Sequence, residues 1–185
     1  MMKRILLPLF AIVAMVFSSQ VYAQKNPVVG GAAMYAGKDI VANAANSKDH
    51  TTLVAAVKAA GLAETLKSSG PFTVFAPTNE AFNKLPAGSL ATLLKPENKE
   101  MLRKILTYHV VSGKMDSKAI AKAIKAGNGK AKLTTLAGGT LWAAMKGDKL
   151  ILTNERGGMS AVVTIADVMQ KNGVIHVIDT VLMPN

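Results

Sequence analysis

Apolar residues recur every three to four positions through much of the first two-thirds of the chain, and the later third reads as strands. Asp39 can cap a short helix carrying Ile40, Val41 and Ala44, and Thr51 or Thr52 a longer one bearing Leu53, Val57 and Ala60. Leu62 to Leu66 adds a further turn or two, which Ser68-Ser69-Gly70-Pro71 ends. Phe72 to Ala76 reads as a strand closed by Pro77, and Thr78 or Asn79 caps a brief helix through Phe82. Pro96 opens a helix to about Tyr108, with Met101, Leu102, Ile105, Leu106 and His109 on its apolar side. Val110-Val111 is extended. Ser117 then caps a helix that turns Ile120 and Ile124 inward and stops at Gly127.

From Lys130 the period changes. Leu133 to Leu136, Thr140 to Met145, Leu150 to Thr153, Ala161 to Ala166 and Val174 to Leu182 are strand-like, separated by glycine-bearing turns, including Asn172-Gly173. Helices first, one early strand and a mostly antiparallel sheet later make an α+β chain rather than a repeating βαβ one. No internal repeat is visible, so one domain is expected.

The N-terminus follows a different logic. Lys3 and Arg4 precede an apolar run from Ile5 to Phe17, and polar residues lead to Val21-Tyr22-Ala23. This is the layout of a secretory signal peptide, 1–23, with cleavage expected near Ala23. The run is thirteen residues, short of the roughly twenty that span a bilayer. Residues 24–36 are Gly- and Ala-rich and read as a loose arm before a single domain at 37–184. Gln24 stands where a bacterial lipoprotein would carry its lipidated cysteine, and the chain stops at Asn185 on a strand-like segment. The expected product is therefore periplasmic or secreted, with no transmembrane segment in the mature chain.

The chain has no cysteine, so disulfides, thiolate metal sites and cysteine nucleophiles are excluded. His50, His109 and His176 are its three histidines, and none pairs with metal-ligand spacing. No G-x-S-x-G elbow occurs, and Gly127-Asn-Gly129 lacks the rest of a phosphate loop. No enzyme activity and no cofactor are expected. His176, in a run apolar on both faces, reads as a hydrogen-bonded core residue. Lys146-Gly147-Asp148 resembles an integrin-binding tripeptide but is explained as a turn.

The formal net charge is +11, and it is unevenly spread. Ten Lys or Arg lie between Lys95 and Lys132, against only Glu97, Glu100 and Asp116. Lys118, Lys122 and Lys125 share one helix face at i, i+4 and i+7. Such a face is either simply solvated or a contact for anionic partners, an acidic glycan, a lipid head group or an acidic protein. Nucleic acid is not expected, because no aromatic residues interleave the lysines.

Three segments stand in order: Gly70-Pro-Phe-Thr-Val-Phe-Ala-Pro-Thr-Asn-Glu-Ala-Phe82, Tyr108-His109-Val110-Val111, and Asn172-Gly-Val-Ile-His-Val-Ile-Asp179 running to Val181-Leu182-Met183-Pro184. Together they resemble the first box, the Tyr-His motif and the second box of a fasciclin (FAS1) domain, over roughly 37–184. The resemblance implies a wedge-shaped, mostly antiparallel β core with packed helices, and a non-enzymatic extracellular adhesion or binding role. It also implies a receptor contact at Tyr108 and His109, although a Tyr and a His at a helix-to-strand junction beside aliphatics usually pack inward. Asn79 falls where the family often has Asp or Asn, and a cap for the following helix accounts for it. The partner itself, whether protein, glycan or membrane surface, is not named by the residues, nor is an oligomeric state.

Overall fold

The computed structural model describes residues 26–184, so the segment read as a signal peptide lies outside the described residues. A small hairpin, β1 (Val28–Val29) and β2 (Ala32–Ala33), comes first. The stretch read as a loose arm thus pairs with itself, and Val29 and Met34 are buried in the core. Gly30 makes this possible: its φ is +57°, and an added Cβ would lie 2.3 Å from Ser47 Oγ.

Helices α1 (Ile40–Ala44), α2 (Thr51–Ala59) and α3 (Ala63–Lys67) lead into β3 (Phe72–Pro77). After β3 come α4 (Asn79–Asn83), α5 (Ser89–Leu93), α6 (Lys99–Tyr108), β4 (Val110–Ser112) and α7 (Ser117–Ala126). The chain finishes with β5 (Ala131–Thr134), β6 (Thr140–Lys146), β7 (Lys149–Thr153), β8 (Ser160–Gln170) and β9 (Gly173–Ile178).

Several helix starts differ from the local expectation. Asp39 does cap α1, accepting from Ala42 N at 2.8 Å. Neither Thr51 nor Thr52 caps α2, which follows a 3-10 turn at Lys48–His50. Asn79 does so from a distance, its Oδ1 accepting from Thr52 N at 2.9 Å while its Nδ2 donates to Lys48 O. Of the two expected caps for α4, Thr78 is the one that serves, accepting from Ala81 N. Pro96 opens a 3-10 turn ahead of α6. Asp116, not Ser117, caps α7, because Ser117 is drawn to Asp167.

Seven strands form one sheet in the order β4-β3-β9-β8-β7-β6-β5. Every pairing is antiparallel except β3 with β9. The two end strands then meet: Val111 bridges Thr135, and Leu136 N donates to Val110 O at 2.7 Å. The two edges of the sheet thus touch at this one bridge. Alternation along β3 and β9 feeds two apolar cores. Val74, Ala76, Ile175 and Val177 join the helical side with Leu53, Leu102, Ile105 and Leu106. Phe75 and Ile178 join the other, with Tyr108, Ile120, Ile124, Leu141 and Leu152. All six residues of β9 are buried, as expected of a run apolar on both faces in a central strand.

Candidate functional site

Tyr108 ends α6 and His109 follows it as the C-cap, so one backbone turn sends the two side chains into different surroundings. Tyr108 is 1 % exposed and His109 2 %. The Tyr108 hydroxyl donates to Thr140 O at 2.7 Å and accepts from Glu155 N at 3.3 Å. Its ring lies against Gly139, where an added Cβ would approach Cε2 to 2.8 Å. Burial pushes the phenol pKa up. Tyr108→Phe leaves Thr140 O and Glu155 N without this partner, so a loss of about 1–2 kcal/mol is expected in urea unfolding. A variant as stable as the parent would show that neither bond matters.

His109 is held at both nitrogens. Nδ1 lies 2.8 Å from Ile105 O, an acceptor, and Nε2 lies 3.0 Å from Leu182 N, a donor. These partners define one neutral tautomer, protonated at Nδ1. Burial lowers its pKa to about 4, against the raising effect of the Ile105 carbonyl.

The helix bearing Lys118, Lys122 and Lys125 is fastened by its first turn. Asp116 Oδ1 accepts from Ala119 N at 2.7 Å, and Asp167 accepts from both Ser117 N (2.6 Å) and the Ser117 hydroxyl. Asp167 has φ of +61° at an irregularity in β8, and this turn of the backbone gives its carboxylate the reach. The preceding loop is clamped as well. Thr73 Oγ1 donates to Gly113 O and accepts from Met115 N, while His176 Nε2 lies 2.9 Å from Met115 O. His176 Nδ1 accepts from Asp167 N at 3.3 Å, and its ring stacks on Phe75 at 5.6 Å. With Ile120 and Ile124 buried beneath, all three lysines are exposed, and none joins an ion pair among the described residues.

Tyr108-His109 and the three lysines thus occupy separate places, interior and surface, and form no common site. Thr73 and Asp167, which set the lysine helix, carried no sequence signal, since their partners lie 40 or more positions away. Lys146-Gly147-Asp148 is the β6–β7 turn, with Gly147 at φ +64°. Among the described residues, no group of three or more His, Asp or Glu could hold a metal ion, and no helix is long and apolar enough to cross a membrane.

Comparison with known proteins agrees with this architecture. Protein sll1483 of Synechocystis is 48% identical over 161 residues, covering 87% of this chain and 82% of that protein. Immunogenic protein MPB70 of Mycobacterium bovis is 36% identical over 169 residues, 88% of this chain and 78% of the relative. The pig transforming growth factor-beta-induced protein ig-h3 is 42% identical over 132 residues, which are 71% of this chain but 17% of that much longer protein. Among solved structures, a FAS1 domain pair from the insect cell adhesion molecule fasciclin I superposes with a TM-score of 0.68 at 17% identity, over 77% of this chain and 50% of that one. The model of the fasciclin domain matches residues 48–184, taking in both core layers, the buried Tyr108-His109 junction and the apolar β9, and the chain belongs to the fasciclin domain family.

Proposed function

We propose that this chain is an exported, non-enzymatic binding module that attaches cells or surface polymers to one another. The observation that carries this reading is the match of the fasciclin domain to nearly all of the folded chain, 48–184, together with an N-terminal leader pattern. Two relatives point the same way in their names: one is the cell surface glycolipoprotein MPB83 of Mycobacterium bovis, 35% identical over 169 residues; the other is the adhesion molecule that shares the fold. Tyr108 and His109 enter adhesion through the fold that they brace, since both are buried. The test coats a surface with purified protein and counts attached cells of the producing species. Attachment that excess soluble protein competes away supports the reading; attachment no better than to heat-denatured protein overturns it.

A second reading has its own observation, the exposed Lys118, Lys122 and Lys125 face of α7. Here the partner is anionic, a glycan or lipid head group, and the attraction is screened by salt. Changing all three lysines to Glu is expected to abolish such binding while leaving unfolding within about 0.5 kcal/mol of the parent. Binding to anionic vesicles or polysaccharide that ignores salt and survives the triple change would sink it.

A further inference from the structure

We propose that the outer face of β5–β7, around Trp142, is a binding groove for an acidic polysaccharide. Trp142 is the single tryptophan of the chain, and it is not part of either core cluster. Ladder partners across paired strands point to the same side of a sheet. Lys132 of β5 faces Trp142 of β6, Trp142 faces Thr153 of β7, and Thr153 faces Ser160 of β8. Their neighbours Leu133, Leu141, Ala143 and Leu152 point the other way, into the core that α7 covers. The row Lys132-Trp142-Thr153-Ser160 is therefore an outward stripe of one cation, one aromatic and two hydroxyls. It lies across the sheet from the helix that carries Lys118, Lys122 and Lys125.

The stripe has relief. Trp142 is half-buried in an open groove of about 350 Å³, lined also by Lys130, Thr153, Glu155, Arg156 and Gly157. The wall formed by the β7–β8 turn is rigidly built. Buried Asn154 accepts from Met159 N at 3.2 Å and donates to Met183 O at 3.4 Å, while its backbone exchanges bonds with Met159 and Gly157. Glu155 N is tied in turn to the Tyr108 hydroxyl. Arg156 thus stands over the groove on a turn whose backbone is fixed on both sides, so little backbone entropy remains to be lost on binding.

The lining sets the ligand class. An indole offers a flat apolar face with a polar edge, suited to the C–H face of a sugar ring. Lys130, Lys132 and Arg156 are exposed and join no ion pair among the described residues. They outnumber the single carboxylate, Glu155, so the groove favours a chain bearing carboxylates, with Thr153, Ser160 and Glu155 left for its hydroxyls. A single-stranded nucleic acid would need successive stacking platforms. A bilayer would be met by protruding aromatics, whereas this one is recessed.

Because Trp142 is alone, its fluorescence reports on the groove directly. Purified protein is titrated with oligogalacturonate, with neutral dextran and with phosphatidylglycerol vesicles. Oligogalacturonate is expected to shift the emission saturably, and dextran and vesicles to leave it unchanged. Arg156→Glu, in an exposed turn, should weaken the affinity at least tenfold, and Trp142→Ala should do the same by calorimetry. Lys58→Glu, an exposed charge on α2 outside the groove lining, should bind within twofold of the parent. Unmoved emission, an equal response to dextran, a response to vesicles instead, or unchanged binding by Arg156→Glu would each overturn the proposal. Cell attachment is read separately, so the adhesion reading stands or falls on its own assay.

Discussion

Asn172→Ala is expected to lower unfolding free energy by about 3–5 kcal/mol, a large part of a small domain's whole stability. Asn172 is buried between the β8–β9 turn and the helical layer. Its Oδ1 accepts from Ile40 N at 3.1 Å, and its Nδ2 donates to Leu66 O at 2.7 Å and Ser68 O at 2.9 Å. One side chain thus satisfies the first turn of α1 and the last carbonyls around α3, more than 100 positions away. Removing it strands three backbone groups where water has poor access. Asn172→Asp separates the roles, since a carboxylate still accepts from Ile40 but repels the two carbonyls. It should therefore also lose stability. Lys171→Ala, in the same turn but exposed, should change the urea midpoint little. A loss under 1 kcal/mol for Asn172→Ala would mean the three contacts are dispensable.

Lowering the pH from 7 to 4 should cost about 3 kcal/mol through His109 alone. The sign follows from the folded pKa of about 4, below the ordinary value of 6.5. The fold favours the neutral ring. This contribution is complete above about pH 6.5, is lost as pH falls towards 4, and does not grow below that. A proton added at Nε2 would face the Leu182 N–H, a donor that has no use for it. Burial also lowers the pKa of His50 and of His176. Smaller raising effects come from the Ala76 backbone and Asp49 on the first, and from the Met115 carbonyl, Asp167 and Asp116 on the second. His50 Nε2 lies near that backbone without a well-formed hydrogen bond. Asp179 acts in a lower window: burial pushes its carboxyl up, but Val162 N–H, Thr180 and Lys84 together hold it below the usual range. Urea midpoints measured from pH 7 to pH 4 should fall, and His109→Gln should flatten that slope. An unchanged slope in His109→Gln would remove His109 as its source.

The periodic parts of the chain were legible because their causes are local. Ile120 and Ile124 mark the inner face of α7 at one helical turn, and the unbroken apolar run of β9 demands cover on both sides. Asn172-Gly173 read as a hairpin signal, and a hairpin stands there, yet for other reasons. Asn172 is not in a positive-φ conformation; it is there for its three side-chain bonds. At Gly173 a Cβ would lie 2.1 Å from Phe72 O, so glycine allows β3 and β9 to approach. Ser117 is as good a local cap as Asp116, and only Asp167, fifty positions on, decides between them. Asp167 likewise interrupts the apolar run and sets the expected end of the strand at Ala166, whereas β8 bulges there and continues to Gln170. The Trp142 groove depends on the register of four strands, which no single segment carries.

The bridge from Val111 to Thr135 has a consequence for how such a domain recognises anything. Where Val110 and Val111 meet Thr135 and Leu136 the edge groups are already paired, so an extended peptide cannot add a strand at that point. The same pairing blunts that stretch of edge as a template for a second copy. Selectivity there must reside in side chains standing on a backbone already paired. Such a surface can be rewritten residue by residue while the frame persists, as between two chains that share 17% identity and one shape.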